Sequence, residues 1–151
     1  MLKQKLRDDL TTSMLAKDAD RTSVLRMVIS AIGYYEIAKG GAGYIATDED
    51  VMEVLKKEAK QRKDSIEQFR NGGREELATK EEQELEMLKV YLPEEMGEDE
   101  IIRFVDEAIA STGALTPQDM GKVMGALMPH TKGKADGAVV SRIVREKLSQ
   151  N

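Results

Sequence analysis

A chain of 151 residues with a formal net charge of -5 and 34% charged side chains has room for one domain or two small ones. Its overall sign argues against a generic nucleic-acid coat, because long-range attraction to phosphate would be weak. With no cysteine and one histidine, it has no disulfide framework, no thiolate metal site, no cysteine nucleophile and no two-histidine zinc site, so neither metal nor cofactor is expected.

Leu2, Leu6, Leu10 and Met14 recur at four-residue steps among charges and predict a first amphipathic helix ending near Ala19. The charged segment Met1–Leu10 lacks the apolar core of a signal peptide. No apolar run approaches the roughly 18 residues of a membrane span, so a cytoplasmic protein without membrane partners is expected. Asp20 is a candidate cap for a second helix carrying Val24, Leu25, Val28, Ala31, Ile32 and Tyr35, which runs out at a flexible loop, Lys39-Gly-Gly-Ala-Gly43. Thr47, followed by Asp48-Glu49-Asp50, is the clearest helix start: a capping hydroxyl, then acids at the positive end of the dipole. The third helix places Val51, Leu55, Ala59, Arg62, Ile66 and Phe69 on a nearly heptad seam with one charge in it. Asn71-Gly72-Gly73 stops it. A fourth helix, Arg74 to Leu92, carries Leu77, Leu85, Leu88 and Leu92, and the short turn makes the pair an antiparallel hairpin.

Pro93 and Gly97 interrupt the pattern, and periodicity restarts at Ile101, Ile102, Val105 and Ile109. The expected organisation is a helical domain over 1–93 and a three-helix bundle over 97–151, with Gly113 ending the bundle's first helix. Thr116-Pro117-Gln118-Asp119 opens the next as cap, N1 proline and N3 acid, and Pro129 is expected to stop it at Met128. Inside it, Gly121 and Gly125 share a face and each costs roughly 1 kcal/mol against alanine. They predict a groove where a backbone of this chain or of a partner packs closely. The last helix runs from Ala138 to about Ser149 on Val139, Val140, Ile143, Val144 and Leu148. The reading is all-α: four helices, then three shorter ones, with no strand-like alternation of useful length.

From Gly121 onward six basic residues (Lys122, Lys132, Lys134, Arg142, Arg145 and Lys147) face only Asp136 and Glu146. That local excess marks a candidate anion-binding face. Lys122, Lys132, Lys134 and Arg145 are the candidate RNA-binding residues. Gly133, Asp136 and Gly137 form a flexible loop and a helix N-terminus whose N–H groups suit a phosphate; a solvated loop between two helices is the plainer alternative. No serine sits in a nucleophile elbow, and Gly133-Lys134-Ala135-Asp136 lacks the spacing of a Walker loop. The acidic pairs read as helix starts and solvated faces, His130 as a surface or cap residue, and Met120, Met124 and Met128 as core filler. No catalytic constellation emerges from these residues.

Asp119-Met-Gly-Lys-Val-Met-Gly-Ala-Leu-Met-Pro129 with Gly133-Lys-Ala-Asp-Gly137 resembles the signature of the YqeY-like proteins, as do Lys60-Gln-Arg-Lys-Asp-Ser-Ile-Glu-Gln-Phe69 with Arg74, and Val90-Tyr-Leu-Pro93. The resemblance covers essentially the whole chain. It implies a four-helix portion followed by a three-helix module shared with the tail of the B subunit of glutamine-dependent aspartyl/glutamyl-tRNA amidotransferase, where the tail contacts tRNA away from the active site. The partners it implies are tRNA, or an amidotransferase or other tRNA enzyme. Three functions follow as expectations: a tRNA-associated accessory module binding structured RNA by backbone and shape, a protein-docking module, or a carbon–nitrogen ligase activity with glutamine as amide donor. Gly97 stands where relatives more often carry serine, and the Gly40–Gly43 loop replaces a lysine-rich connection.

Overall fold

The computed structural model describes residues 1–150; Asn151, the last residue of the expected second domain, lies outside the described residues. The protein is all-α. Its helices are α1 (Leu2–Leu15), α2 (Ala19–Gly40), α3 (Asp48–Asn71), α4 (Glu75–Lys89), α5 (Glu98–Thr112), α6 (Met120–Thr131) and α7 (Gly137–Ser149), with single 3-10 turns at Gly41–Gly43 and Pro117–Asp119. Backbone contacts divide the chain into two units, Met1–Leu92 and a second beginning at Pro93. No helix among the described residues is long and apolar enough to cross a membrane.

In the first unit, apolar faces of all four helices meet in a core that includes Leu6, Val28, Ile32, Val51, Leu55 and Leu88. Arg62 reaches Glu84, while Arg70, two turns later on α3, reaches Glu82 and Glu75. Late α3 therefore faces early α4, and the hairpin is antiparallel. Its outer half closes over Ala59, Ile66, Ala78 and Leu85, with Phe69 packed against them. The charge in the seam is buried: Arg62 is held by Glu58 at 3.0 Å and Glu84 at 3.4 Å, as a buried cation requires. Arg74 N–H closes back on the Phe69 carbonyl at 2.8 Å, and Gly73 adopts a φ of +72° that glycine tolerates and most residues do not. In the second unit each of α5, α6 and α7 packs on the other two, over Val105, Val123, Leu127, Val144 and Leu148. Since α7 starts beyond the end of α6 and also touches the 117–119 turn at its beginning, it runs back alongside α6.

Several boundaries differ from expectation. α1 ends at Leu15, and α2 is capped by Asp18, whose carboxylate accepts from the Arg21 N–H at 3.1 Å; Asp20 sits inside the first turn, where an acid suits the dipole without capping. α4 stops at Lys89, and Tyr91 and Leu92 continue with tighter i to i−3 bonds because Pro93 disfavours helical geometry at the residue before it. The glycine loop is a short ordered turn: α2 continues through Gly40, and Gly41 reverses the chain at φ +74°.

Pro129 does not stop α6, which runs on to Thr131. A proline one turn from a helix end removes a single ladder bond, here the one to the Gly125 carbonyl. Both residues are exposed, so water can take that carbonyl. Met120 and Met124 pack against the core as expected, but Met128 is half exposed.

Candidate nucleic-acid interface

The basic segment is built on the α6–α7 connection. α6 begins where Asp119 reaches back: its carboxylate accepts from the N–H groups of Leu115 at 2.9 Å and Thr116 at 3.2 Å. Those donors hold its carboxyl below the usual range, with a smaller contribution from the nearby Lys122 charge. At the far end, buried Thr131 organises the turn. Its hydroxyl donates to the Leu127 carbonyl at 3.2 Å, and its own carbonyl accepts from the N–H groups of Lys134 and Ala135, each at 3.0 Å. The Lys132 N–H donates to Met128 at 3.0 Å, and the Lys134 carbonyl accepts from Met96 at 2.7 Å. Gly133 makes the reversal at φ +76°. The loop expected to be flexible is thus pinned at its backbone, because a short turn between packed helices must satisfy its polar groups.

On this frame Lys132 and Lys134 are exposed, one on each side of Gly133. Lys122 and Arg145 are exposed as well, and no ion pair engages any of the four among the described residues. The other two basic residues are committed: Arg142 bridges Glu98 at 3.1 Å and Glu146 at 3.2 Å, and Lys147 pairs with Asp106 at 3.3 Å. Glu98 and then Glu146 hold the Arg142 guanidinium's pKa above its ordinary value.

The four candidates are not one cluster. Lys122 lies ten residues before Lys132, about 15 Å along the axis at 1.5 Å per residue, and Arg145 stands on the third turn of α7. The helix N-terminus read as an anion site already holds an anion: Asp136 caps α7, its carboxylate accepting from the Ala138 N–H at 2.9 Å. Gly137 is exposed beside it, with nothing within 4 Å of where a Cβ would stand.

Gly121 and Gly125 are exposed, and a Cβ on either would meet no atom within 4 Å. None of the other described residues closes on them, so among these the close packing that their cost suggested is absent and the face between the two glycines is open. His130 is exposed, as read, and its ring stacks on Phe104 of α5 with centroids 5.2 Å apart and planes 15° apart.

The densest polar cluster lies in the first unit, and sequence reasoning missed it. Asp50, read as part of a solvated helix start, is only 5% exposed. Its carboxylate accepts from Lys39 Nζ at 2.5 Å, Tyr44 OH at 2.5 Å, the Thr47 N–H at 3.0 Å and Tyr35 OH at 3.0 Å. The Lys39 ammonium, then the Tyr44 hydroxyl and the Thr47 N–H, hold its carboxyl far below the ordinary carboxylate range. Its charge raises Lys39 and Tyr44 in turn. The capping box Thr47/Asp50 was the one visible signal; the tyrosines and the lysine arrive from α2 and the glycine turn. Every oxygen of the carboxylate is used, so the cluster latches that turn onto α3.

Fold and site together define an all-helical protein of two units, in which the second unit presents, on a fixed inter-helix loop, two lysines that no ion pair engages among the described residues. A family model described as Yqey-like protein matches residues 3–148; the chain belongs to the YqeY-like family. It is 41% identical over 93 residues to an uncharacterised protein of Schizosaccharomyces pombe, covering 62% of this chain and 73% of that protein. It is 29% identical over 125 residues to "Altered inheritance of mitochondria protein 41, mitochondrial" of Saccharomyces cerevisiae, covering 80% of this chain and 66% of that protein. A protein of the same name in Vanderwaltozyma polyspora is 39% identical over 88 residues, 58% of this chain and 46% of the relative.

Proposed function

We propose that the protein is an accessory RNA-binding module that engages folded tRNA through the phosphate backbone, with Lys132 and Lys134 as the principal contacts and Lys122 and Arg145 as outlying ones. The observation that carries this reading is the pair of exposed lysines, outside any ion pair among the described residues, on a hydrogen-bonded loop. A fixed backbone lowers the entropy lost when the loop meets a ligand. The resemblance to the amidotransferase tail supports tRNA as the RNA. The net charge of -5 supports a modest affinity that a partner holding the same RNA would raise. Cytoplasm and mitochondrion both contain tRNA, so the reading holds in either compartment.

Contacts to phosphate position a protein without reading sequence. Removing Lys132 and Lys134 together should therefore weaken binding across RNA sequences alike and flatten the salt dependence by about one unit or less per lysine. Fluorescence titration of folded tRNA against wild type and the Lys132→Ala/Lys134→Ala variant at several salt concentrations tests it. A second reading, docking of a protein on the open Gly121/Gly125 face beside half-exposed Met128, predicts instead salt-insensitive binding to a protein partner and loss on Gly125→Leu. Glutamine-dependent amide formation by the isolated chain would overturn both.

A further inference from the structure

α2 carries large apolar side chains on two faces, the outer one interrupted by Ser23 and Ser30. Val24, Leu25, Val28 and Ile32 point into the first unit's core. On the other side Ser23, Met27, Ser30, Tyr34 and Ile37 are all exposed, Met27 at 51%, Tyr34 at 75% and Ile37 at 64%. Their steps of four, three, four and three are those of a coiled-coil seam, about 21 Å long at 1.5 Å per residue. No other part of the first unit covers them. At its N-terminal end the seam opens into a cleft of about 590 Å³ at the α1–α2 corner, walled by Met14 and Met27 and flanked by Lys17 and Arg26. Among the described residues neither cation is in an ion pair, and Arg26 donates only to the Met14 sulfur, at 3.9 Å. Lys17 also holds a left-handed φ of +57°, which a non-glycine residue adopts at a cost.

We propose that this face docks an amphipathic helix of another protein, about four turns long, whose apolar seam lies on Met27, Tyr34 and Ile37 and whose acidic end enters the cleft to meet Lys17 and Arg26. The four-three spacing selects a helix as occupant, and polarizable methionines suit an interface that adapts to its ligand. At that end the exposed acid Asp18 is paired with Arg21, so Lys17 and Arg26 outnumber the remaining acid, Asp20, and the local excess selects carboxylates. A second copy paired with Ser30 at its centre does not supply them: the antiparallel arrangement sets Tyr34 opposite Arg26 and Gly43 opposite Lys17, and the parallel in-register one sets each cation against its own kind. The proposal is independent of the RNA reading, which concerns the other unit.

The test uses the full chain labelled with ¹³C at its methionine methyls, with resonances assigned by single Met→Leu variants. The probe is an 18-residue capped peptide helix with Leu and Ile at four-three steps and glutamates in one terminal turn; its control has lysines in place of the glutamates. The glutamate peptide should shift the Met14 and Met27 methyls and leave Met120 and Met124 unmoved. The lysine peptide should bind about tenfold more weakly, as two opposed charge pairs allow, and Lys17→Glu/Arg26→Glu should reverse that order, with Arg26→Glu alone narrowing it. Unmoved Met14 and Met27 signals at millimolar peptide, or equal affinity for the two peptides, would overturn the proposal. So would the same signals shifting with protein concentration alone, which would identify a second copy as the occupant.

Discussion

The two units treat polar chemistry in opposite ways. The first buries Ser13, Thr22, Asp50 and Arg62; among the described residues the second buries only Thr131. Arg62 stands inside the hairpin seam between two glutamates, Asp50 latches the glycine turn, and Tyr91 donates to Asp9 at 2.5 Å to tie the end of α4 to α1. The second unit has an aliphatic core and directs its cations outward on a pinned loop. A buried ionic group specifies how elements meet when its charge is paired, as Arg62 is by Glu58 and Glu84 although its Nε makes no hydrogen bond, whereas an exposed cation without a partner costs little and is left available to a ligand. The first unit's buried polar residues thus serve its architecture, and the second unit leaves Lys122, Lys132, Lys134 and Arg145 exposed for the contact proposed above.

Deleting core volume should have the largest effect. Leu88 is fully buried, and Leu88→Ala should destabilise by about 2–5 kcal/mol in chemical denaturation; a loss within about 0.5 kcal/mol, the range of exposed sites, would mean the hairpin seam is misplaced.

Acid should act next, and more on the first unit, which among the described residues holds four of the five carboxyls shifted downward; the fifth is Asp119 of the second. Asp50 has a carboxyl depressed below its ordinary 3.8, so the ionised form is bound more tightly in the folded state. Its contribution is complete above that ordinary value and is lost as pH falls through it toward the lower folded pKa. Asp9, Glu36 and Asp48 are shifted the same way. Stability should therefore fall progressively from about pH 5 and go on falling well below pH 3, and Asp50→Asn should make that fall shallower. An unchanged slope in the variant would remove Asp50 from the latch.

The smallest effect should carry the opposite sign. Gly125 has open space where a Cβ would stand, so Gly125→Ala should stabilise the isolated protein by about 0.4–1 kcal/mol. Destabilisation would reveal a neighbour on that face.

What was legible in the sequence was what neighbouring residues decide. Thr47 with Asp50, Gly113 at φ +69°, Gly73 with Arg74, and the Val51–Ile66 seam all rest on contacts within a few residues or on simple periodicity, and each stands where the spacing put it. Pro129 was misread because a stop rule ignores how near the helix already is to its end. Asp50 was misread because its burial depends on Tyr35, Lys39 and Tyr44, which only the turn of α2 onto α3 brings to it. In the candidate site, Lys132 and Lys134 fall on the loop that the glycines indicated. A local charge excess could not reveal that Lys122 stands about three turns from them, or that Asp136 already occupies the start of α7.

The central claim is that the second unit's outward cations, and not basic residues in general, make the RNA contact. It is tested by carrying the same folded-tRNA titration through two full-length variants matched in charge removed. One lacks Lys122, Lys132, Lys134 and Arg145; the other lacks Lys56, Lys57, Lys60 and Arg74 of the first unit, all exposed. The account predicts that the first variant loses most of the salt-dependent binding and the second retains it. Equal losses in the two, or a larger loss in the second, would contradict it.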